Sequence, residues 1–197
     1  MDDLRSQLEA VRESRARVAA AADAERRRIE RALHDGVQQD LIALAVNLQL
    51  ARELVDGSEN AHLEAASRDV HDALDGVRAL AEGVYPSLLV DRGLAEALRS
   101  AARAARMPTR IDAPDDRYAP DVEAAVYFAC TRALADVEQA AHSSVRVWPE
   151  GGALLFEVVF EGGGIADLSG VEDRVGAAGG ALSVTTEPLT LRASVPL

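Results

Sequence analysis

The sequence contains no lysine, so all 21 of its basic residues are arginine. No lysine amine is therefore available to clamp a phosphate group or to form a Schiff base. The sequence also contains a single cysteine, Cys130, which excludes an internal disulfide. Because Cys130 follows the apolar run from Ala125 to Ala129, we expect a buried structural thiol and not a reactive one.

Aromatic residues make up only 4% of the 197 residues while 48% are hydrophobic, so the core must be aliphatic. No run approaches the roughly 20 apolar residues that a membrane-spanning helix needs, and the N-terminal segment does not resemble a signal peptide. The net charge of -12 opposes the phosphate neutralisation on which nucleic-acid binding depends. We therefore expect a cytoplasmic protein with no nucleic-acid partner and no membrane contact by this chain.

The first 85 residues lack proline and the first glycine is Gly36, which favours long helices. We predict one long helix over residues 2–56 and a second from Asp56-Gly57-Ser58 to Tyr85-Pro86. Apolar residues recur in both at alternating steps of three and four, as in supercoiling helices. They are Val37, Leu41, Leu44, Leu48, Ala51 and Val55, then Leu63, Ala66, Val70, Ala73, Val77, Leu80 and Val84. One hairpin leaves apolar surface uncovered, so we expect a homodimer that forms a four-helix bundle.

The texture changes in the second half of the chain, where glycine, proline and β-branched residues become frequent. The predicted helices are Leu94–Ala105, Asp121–Ala141 and Gly170–Ala178. The predicted strands are Val145–Trp148, Ala153–Phe160, Ala181–Thr186 and Leu189–Val195, and residues 107–120 are a strand plus loop. Pro149–Gly152 is predicted as a hairpin turn, and Gly162–Gly164 as a flexible loop or hairpin turn. The fold class is therefore α+β, with a helical hairpin followed by an α/β sandwich.

The pair His34-Asp35 lies on the first long helix, at the edge of its apolar stripe, where both side chains should be exposed. A neutral imidazole is a nucleophile near pH 7, and an adjacent carboxylate can hold its tautomer and accept its proton. Gln39 lies four residues beyond Asp35 and shares its helix face, where its amide could orient a water. A His-Asp pair alone is more often part of a solvated helix face, so the surrounding sequence decides between the two interpretations.

That surrounding sequence, ERRRIERALHDGVQQDLIAL over residues 25–44, resembles the H-box of the histidine kinase subfamily that includes nitrate and membrane-fluidity sensors. Residues 78–98 resemble the segment that follows the second helix in that subfamily. The resemblance implies that His34 is the phosphoacceptor, Asp35 its base, and Asp35 with Gln39 a phosphatase pair. It also implies three regions: a helical lead-in over residues 1–24, a dimerisation and phosphoacceptor hairpin over 25–90, and an ATPase-like domain over 91–197.

The same resemblance implies an ATP-binding domain of the gyrase, chaperone and kinase class, but its motifs are altered here. Where relatives have E-A-L-x-N, this chain has Arg132 to Asp136, and no Lys-His follows. Asp136 could still ligate Mg²⁺, because hard cations favour carboxylate oxygens. Arg132, one helical turn away, should compete for it as a counter-ion.

The two glycine motifs of that domain are also altered. In the D-x-G-x-G register, Phe160 replaces the aspartate that would accept the adenine amino hydrogen, and Gly162 and Gly164 keep the glycines. Shifting the register by one makes Glu161 the acceptor but places Ile165 at a glycine position. Gly170 belongs to the last motif, near the negative charge of Asp167, and the lid between the motifs is almost absent.

Three functions remain open from the sequence. The favoured one is a degenerate histidine kinase whose His34 exchanges phosphoryl groups with a response-regulator receiver domain, or dephosphorylates it, with impaired ATP binding. The second is an active autokinase that uses ATP and Mg²⁺, with Asp136 as metal ligand and Glu161 as adenine acceptor. The third is a non-catalytic dimeric scaffold, which would not need His34, Asp35 and Gln39.

Overall fold

The computed structural model describes residues 2–55, 58–165 and 167–197. The contacts divide the chain into two compact units, one of them Asp23–Ser87, and the other Leu88–Leu197 together with the residues up to Ala22. The predicted turn at Asp56-Gly57 lies outside the described residues. None of the described helices is both long enough and apolar enough to cross a membrane.

Long helices form the first part of the chain, in agreement with its lack of proline. Helix α1 is Asp2–Ala32, a π-helical segment spans Leu33–Gln38, and helix α2 is Gln39–Leu54. Helix α3, Ser58–Val84, ends just before Tyr85-Pro86, as predicted. Helix α2 packs against α3 and forms the hairpin.

The predicted stripe on α3 is partly buried, at Leu63, Ala66, Val70, Val77 and Val84, but the most buried positions of this helix lie beside it. These positions are Ser67, Leu74 and Ala81, whereas Ala73 and Leu80 are exposed. Both sets repeat every seven residues and combine leucine with small side chains, so apolar periodicity alone does not distinguish them. The packing face of α3 therefore includes Ser67, Leu74 and Ala81 as well as the partly buried members of the predicted stripe.

Helix α2 buries none of its residues within the chain. Four large apolar side chains at four-residue spacing lie exposed along it: Ile42, Val46, Leu50 and Leu54. Residues four apart are neighbours on a helix surface, so this set forms a continuous row that winds gradually around α2, and we call it the α2 apolar face. It lies outside the predicted stripe, of which Leu41, Leu48, Ala51 and Val55 are partly buried.

The second unit is built around a five-stranded sheet with the order β1-β3-β4-β7-β6. Its strands are β1, Thr109–Asp112; β3, His142–Glu150; β4, Ala153–Glu161; β6, Ala181–Thr186; and β7, Leu189–Pro196. Strand β1 runs parallel to β3 and the other pairs are antiparallel. The helices of this unit are α4, Ser87–Asp91; α5, Leu94–Ala104; α6, Pro120–Asp136; and α7, Ser169–Ala177. The α+β fold class is confirmed.

The core of this unit is mainly aliphatic, as the composition requires. Alternate side chains of β4 are fully buried, namely Leu154, Phe156, Val158 and Phe160, and α6 packs on this strand. Cys130 of α6 is also buried, and burial raises the pKa of its thiol far above the ordinary value. The expectation of a structural thiol is therefore supported by its surroundings.

Helix α6 ends at Asp136, five residues before the predicted end at Ala141. Strand β2, Val137–Glu138, follows at once and pairs antiparallel with β5, Gly164–Ile165. This pairing joins segments far apart in the sequence, and local helix propensity carries no information about it. The glycines at 162–164 consequently lead into a second, two-stranded sheet and do not form the turn of a hairpin between consecutive strands.

The hairpin turn between β3 and β4 is shorter than predicted. Pro149 and Glu150 belong to β3 and pair with Leu154 and Ala153, so only Gly151 and Gly152 form the turn. Both glycines have positive φ, of 62° and 79°, which suits a two-residue hairpin loop. Pro149 fits in the strand because β1 pairs with β3 only as far as Arg146, which leaves the proline edge without a ladder partner.

Candidate functional site

His34 lies inside the π-helical segment Leu33–Gln38, which continues smoothly from α1 into α2. A π-helical turn is wider than an α-helical one, and such segments occur frequently at functional sites. The sequence did not predict it. Gly36 has the lowest helix propensity in the segment, but a Cβ added at Gly36 would meet nothing within 4 Å. Local space therefore does not require a glycine there.

The imidazole of His34 and the carboxylate of Asp35 are hydrogen-bonded. The distance from Nδ1 to Oδ1 is 3.0 Å, and 59% of the His34 side chain and 69% of the Asp35 side chain are exposed. An ionised carboxylate only accepts hydrogen bonds, so Nδ1 carries the proton in this pair. In that tautomer Nε2 holds the lone pair, which makes Nε2 the nucleophilic nitrogen.

Gln39 is the first residue of α2 and is exposed, whereas the neighbouring Gln38 is buried. Asp35 and Gln39 are four residues apart across the end of the π-helical segment, close to one helical turn. Both polar side chains are exposed, and their position on one side of the helix stays a prediction. Their joint role in dephosphorylation remains a prediction.

Two of the arginines that precede His34 contact specific partners, which sequence reasoning missed. Arg27 lies over the ring of Tyr85 with its Cζ 5.5 Å from the centroid, and its guanidinium is 3.5 Å from the Tyr85 hydroxyl. Arg28 donates two hydrogen bonds to Glu25, at 2.6 and 2.8 Å, and they lower the pKa of that carboxyl. Tyr85 is almost completely buried, so Arg27 joins the helix of His34 to the end of the hairpin.

The residues predicted to bind nucleotide do not come together in one site. Arg132 donates a hydrogen bond through Nε to Asp136, so the predicted counter-ion is in contact with the predicted metal ligand. The same Nε lies 3.2 Å from the place where a Cβ on Gly170 would be. No group of three or more potential metal ligands occurs among the residues that the structure describes.

Glu161 lies away from this place. Side chains of a strand alternate between the two faces of a sheet, so Phe160 enters the core while Glu161 is exposed. Glu161 lines an open cleft of about 500 Å³ with Arg110 and His142. Glu161 therefore lies on the opposite face of β4 from Phe160, and its role as an adenine acceptor stays a prediction.

Asp167 has a local role at the start of α7. Its carboxylate accepts hydrogen bonds from the backbone N–H of Ser169 at 2.8 Å and from the Ser169 hydroxyl at 3.0 Å. The backbone hydrogen bond, then the hydroxyl, and to a smaller extent the charge of Arg132 lower the pKa of Asp167 below its ordinary value. The first turn of α7, where a phosphate could bind, is therefore next to a negative charge.

Comparison with known proteins identifies the family to which the segment around His34 is similar. Residues 25–89, which include His34, Asp35 and Gln39, match the sequence profile of the family described as histidine kinase. The profile covers 65 of the 197 residues, so residues 25–89 are identified as a histidine kinase domain.

Two sensor histidine kinases are similar to this chain. The sensor histidine kinase MctS of Rhizobium johnstonii is 28% identical over 169 residues, which cover 80% of this chain and 36% of the relative. The oxygen sensor histidine kinase NreB of Staphylococcus carnosus is 39% identical over 87 residues, which cover 41% of this chain and 24% of the relative. The chain thus spans about a third or less of the length of these relatives.

Solved histidine kinases show only a distant likeness. The histidine kinase domain of the blue-light activated kinase EL346 from Erythrobacter litoralis superposes with a TM-score of 0.46 at 12% identity, over 81% of this chain and 94% of that chain. The histidine kinase AdeS of Acinetobacter baumannii gives 0.39 at 10% identity, over 80% and 95%. The fold class therefore rests on the elements of this chain itself.

Proposed function

We propose that this chain is a homodimeric two-component signalling protein whose His34 exchanges a phosphoryl group with a response-regulator receiver domain, or helps to dephosphorylate it. The observation that carries the proposal is the exposed His34–Asp35 pair, with Nδ1 and Oδ1 3.0 Å apart. The pair fixes which nitrogen can react and leaves most of both side chains accessible to a large partner.

The transfer step uses Nε2 of His34 as the nucleophile. Nε2 attacks the phosphorus of an aspartyl phosphate on the receiver domain, a P–N bond forms, and the P–O bond to the carboxylate breaks. The receiver carboxylate leaves with the electron pair. The imidazole ring gains positive charge, and Asp35 stabilises it through the proton on Nδ1. The reverse reaction returns the phosphoryl group to the receiver.

Dephosphorylation would use Gln39 in place of a nucleophilic nitrogen. A water held by the Gln39 amide attacks the aspartyl phosphate, releasing inorganic phosphate and the receiver carboxylate. Gln39 and Asp35 are both exposed and lie about one helical turn apart, so both could reach one phosphoryl group. This step does not require His34 to become phosphorylated.

The homodimer is supported by the α2 apolar face. Ile42, Val46, Leu50 and Leu54 are between 45% and 86% exposed, and a row of this length along one helix is what a second hairpin covers in a four-helix bundle. The occupant of this face is, in our proposal, a second copy of the chain.

Both relatives are sensor histidine kinases, which favours an alternative, an autophosphorylating histidine kinase. One experiment separates the two. The protein is incubated with radiolabelled ATP and Mg²⁺ and, separately, with a receiver domain labelled at its aspartate by a small phosphodonor. We expect label on His34 or released phosphate in the second reaction only. If His34 becomes labelled in the reaction with ATP and Mg²⁺ and not in the reaction with the receiver domain, the protein is an autokinase.

Substitutions of His34, Asp35 and Gln39 test the role that we propose for each residue. His34→Gln should abolish labelling of this chain, and Asp35→Asn should slow transfer by about 100-fold, the usual contribution of a positioned base. Gln39→Ala should slow phosphate release from the receiver and leave the transfer to His34 unchanged. If His34→Gln still becomes labelled, another residue is the acceptor and the proposal is wrong.

A further inference from the structure

We infer that Arg132 seals the corner between α6 and α7 against Mg²⁺ and ATP, so that the phosphoryl group of His34 is supplied in trans by an acyl phosphate. The corner is defined by Arg132, Asp136, Asp167, Ser169 and Gly170. The inference rests on the proposed function for its second half, whereas its first half concerns only this corner.

The first step is the state of Asp136. Asp136 is the one residue of the altered E-A-L-x-N motif whose side chain could ligate Mg²⁺. Arg132, one turn earlier in α6, donates a hydrogen bond to the Asp136 carboxylate. Only 23% of the Asp136 side chain is exposed. A cation would have to displace a guanidinium that is permanently charged, and would then lie beside that positive charge.

The second step is the position of the guanidinium. Its Nε is 3.2 Å from the ideal Cβ position of Gly170, in the first turn of α7. Arg132 therefore reaches from α6 to α7 and fills the space between Asp136 and Gly170. A Cβ at position 170 would lie closer to this guanidinium than an ordinary van der Waals contact, so Arg132 would have to shift by a few tenths of an ångström to accept a side chain there.

The third step is the N-terminus of α7. The Ser169 N–H and hydroxyl, which could bind a phosphate at a helix N-terminus, are both hydrogen-bonded to Asp167. A phosphate would have to replace a carboxylate of this chain and would be repelled by it. Arg132 thus occupies the carboxylate that a cation would use, and Asp167 occupies the donors that a phosphate would use.

The fourth step is the segment between the two glycine motifs. The pairing of β5 with β2 ties this segment to the end of α6. Gly163 packs against the backbone of Glu138 and Ala140, with its ideal Cβ 2.8 Å from the Ala140 nitrogen. Phe160 fills the core where the resemblance implies an adenine acceptor. The residues present thus do not fit a bound Mg²⁺–ATP.

A chain that does not bind ATP needs another phosphoryl donor. The class of reaction that can supply His34 is transfer from a high-energy acyl phosphate, in which the aspartyl carboxylate is the leaving group. The chain then stands between two receiver domains, or between a receiver domain and water, and not at the start of the reaction sequence.

The experiment uses Mn²⁺ as a probe for the Mg²⁺ position. Arg132→Glu removes the guanidinium and places a second carboxylate one turn from Asp136, which should create a site for a divalent cation. Arg106→Glu is the matched control, because it makes the same charge change at an exposed residue that bonds to no other described residue. Mn²⁺ binding is followed by electron paramagnetic resonance, with circular dichroism to show that each variant is folded.

We expect Arg132→Glu to bind Mn²⁺ at least tenfold more tightly than the wild type and Arg106→Glu. If Arg132→Glu is unfolded, Arg132→Gln replaces it, since it frees Asp136 without adding charge, and it too must bind Mn²⁺ more tightly than Arg106→Glu. Equal affinity in the folded variant and the control overturns the role of Arg132. Micromolar binding of Mg²⁺–ATP to the wild type overturns the inference as a whole.

Failure of this inference is separable from failure of the proposed function. Labelling of His34 from a phosphorylated receiver is measured on the same variants and should be unchanged by Arg132→Glu. Loss of that labelling in the wild type would count against the proposed function and leave the cation result as it stands.

Discussion

At the scale of single residues, His34 and Asp35 interact although consecutive side chains on an α-helix do not face each other. Their 3.0 Å hydrogen bond occurs within the π-helical segment. The sequence identified both residues through the string around them, and the chemistry of a carboxylate beside an imidazole follows from the residue types alone. The sequence did not predict the π-helical geometry, because a helix of this kind depends on backbone packing and not on a residue pattern.

Gly163 is the residue whose replacement should be least tolerated among the glycines at 162–164. Its φ is +77° and a Cβ would collide with the backbone of Glu138 and Ala140. Gly163→Ala should therefore lower the free energy of unfolding by more than about 1 kcal/mol, measured by urea denaturation.

The control for Gly163 is Gly176→Ala in α7. Gly176 is helical and exposed, and a Cβ there meets nothing within 4 Å, so alanine should raise stability by about 0.5 to 1 kcal/mol. A neutral effect of Gly163→Ala would mean that the β2–β5 pair contributes little to the fold.

At the scale of elements, helix and strand positions were largely predictable and their ends and faces were not. The seven-residue repeat places α3 correctly but fits Ser67, Leu74 and Ala81 as well as Ala66, Ala73 and Leu80. Only the packing of α3 against α2 and the π-helical segment makes the first set the most buried. The end of α6 at Asp136 is likewise decided by a distant partner strand, β5.

The hydrogen bonds at the start of α7 give a prediction for acid stability. The pKa of Asp167 is lowered in the folded chain, so its ionised form stabilises the fold above its unfolded pKa, about 4. That contribution is lost as the pH falls through the lower, folded pKa. The melting temperature of Asp167→Asn should therefore lie below that of the wild type at pH 7, and the difference should shrink below pH 4.

Glu172→Gln serves as the comparison for Asp167, since it removes one negative charge from the same helix. Glu172 is exposed and forms no ion pair or hydrogen bond within the described parts of the chain. The melting temperature of Glu172→Gln should stay close to that of the wild type from pH 3 to pH 7, because an exposed charge has only a small effect on stability. A pH-independent loss in Asp167→Asn would show that the cap acts through its geometry and not through its charge.

At the scale of the whole molecule, the sequence predicted that one hairpin cannot cover its own apolar surface, and the described helices agree. No residue of helix α2 is fully buried within the chain, and the α2 apolar face extends over thirteen residues from Ile42 to Leu54. Transfer of such a face from water into an interface is favourable, at about 25 cal/mol for each Å² of apolar surface buried. The monomer therefore retains a driving force for association.

Val46 lies within that face and is 53% exposed, so Val46→Glu tests the homodimer. A glutamate there would be buried without a partner, at a cost of about 3 kcal/mol or more, which weakens the dimer by about 100-fold. Asn47→Glu adds the same charge at the next residue, which is exposed and polar, and should leave the dimer intact. Sedimentation velocity over a range of concentrations gives both dissociation constants.

A monomeric Val46→Glu variant would also separate the role of the dimer from the chemistry of His34, because a monomer keeps His34 and Asp35 together. If this monomer still accepts a phosphoryl group from the receiver domain, the four-helix bundle organises the surface that binds the partner and is not needed for the transfer step. A dimer in Val46→Glu as tight as in Asn47→Glu would instead place the interface elsewhere on the chain.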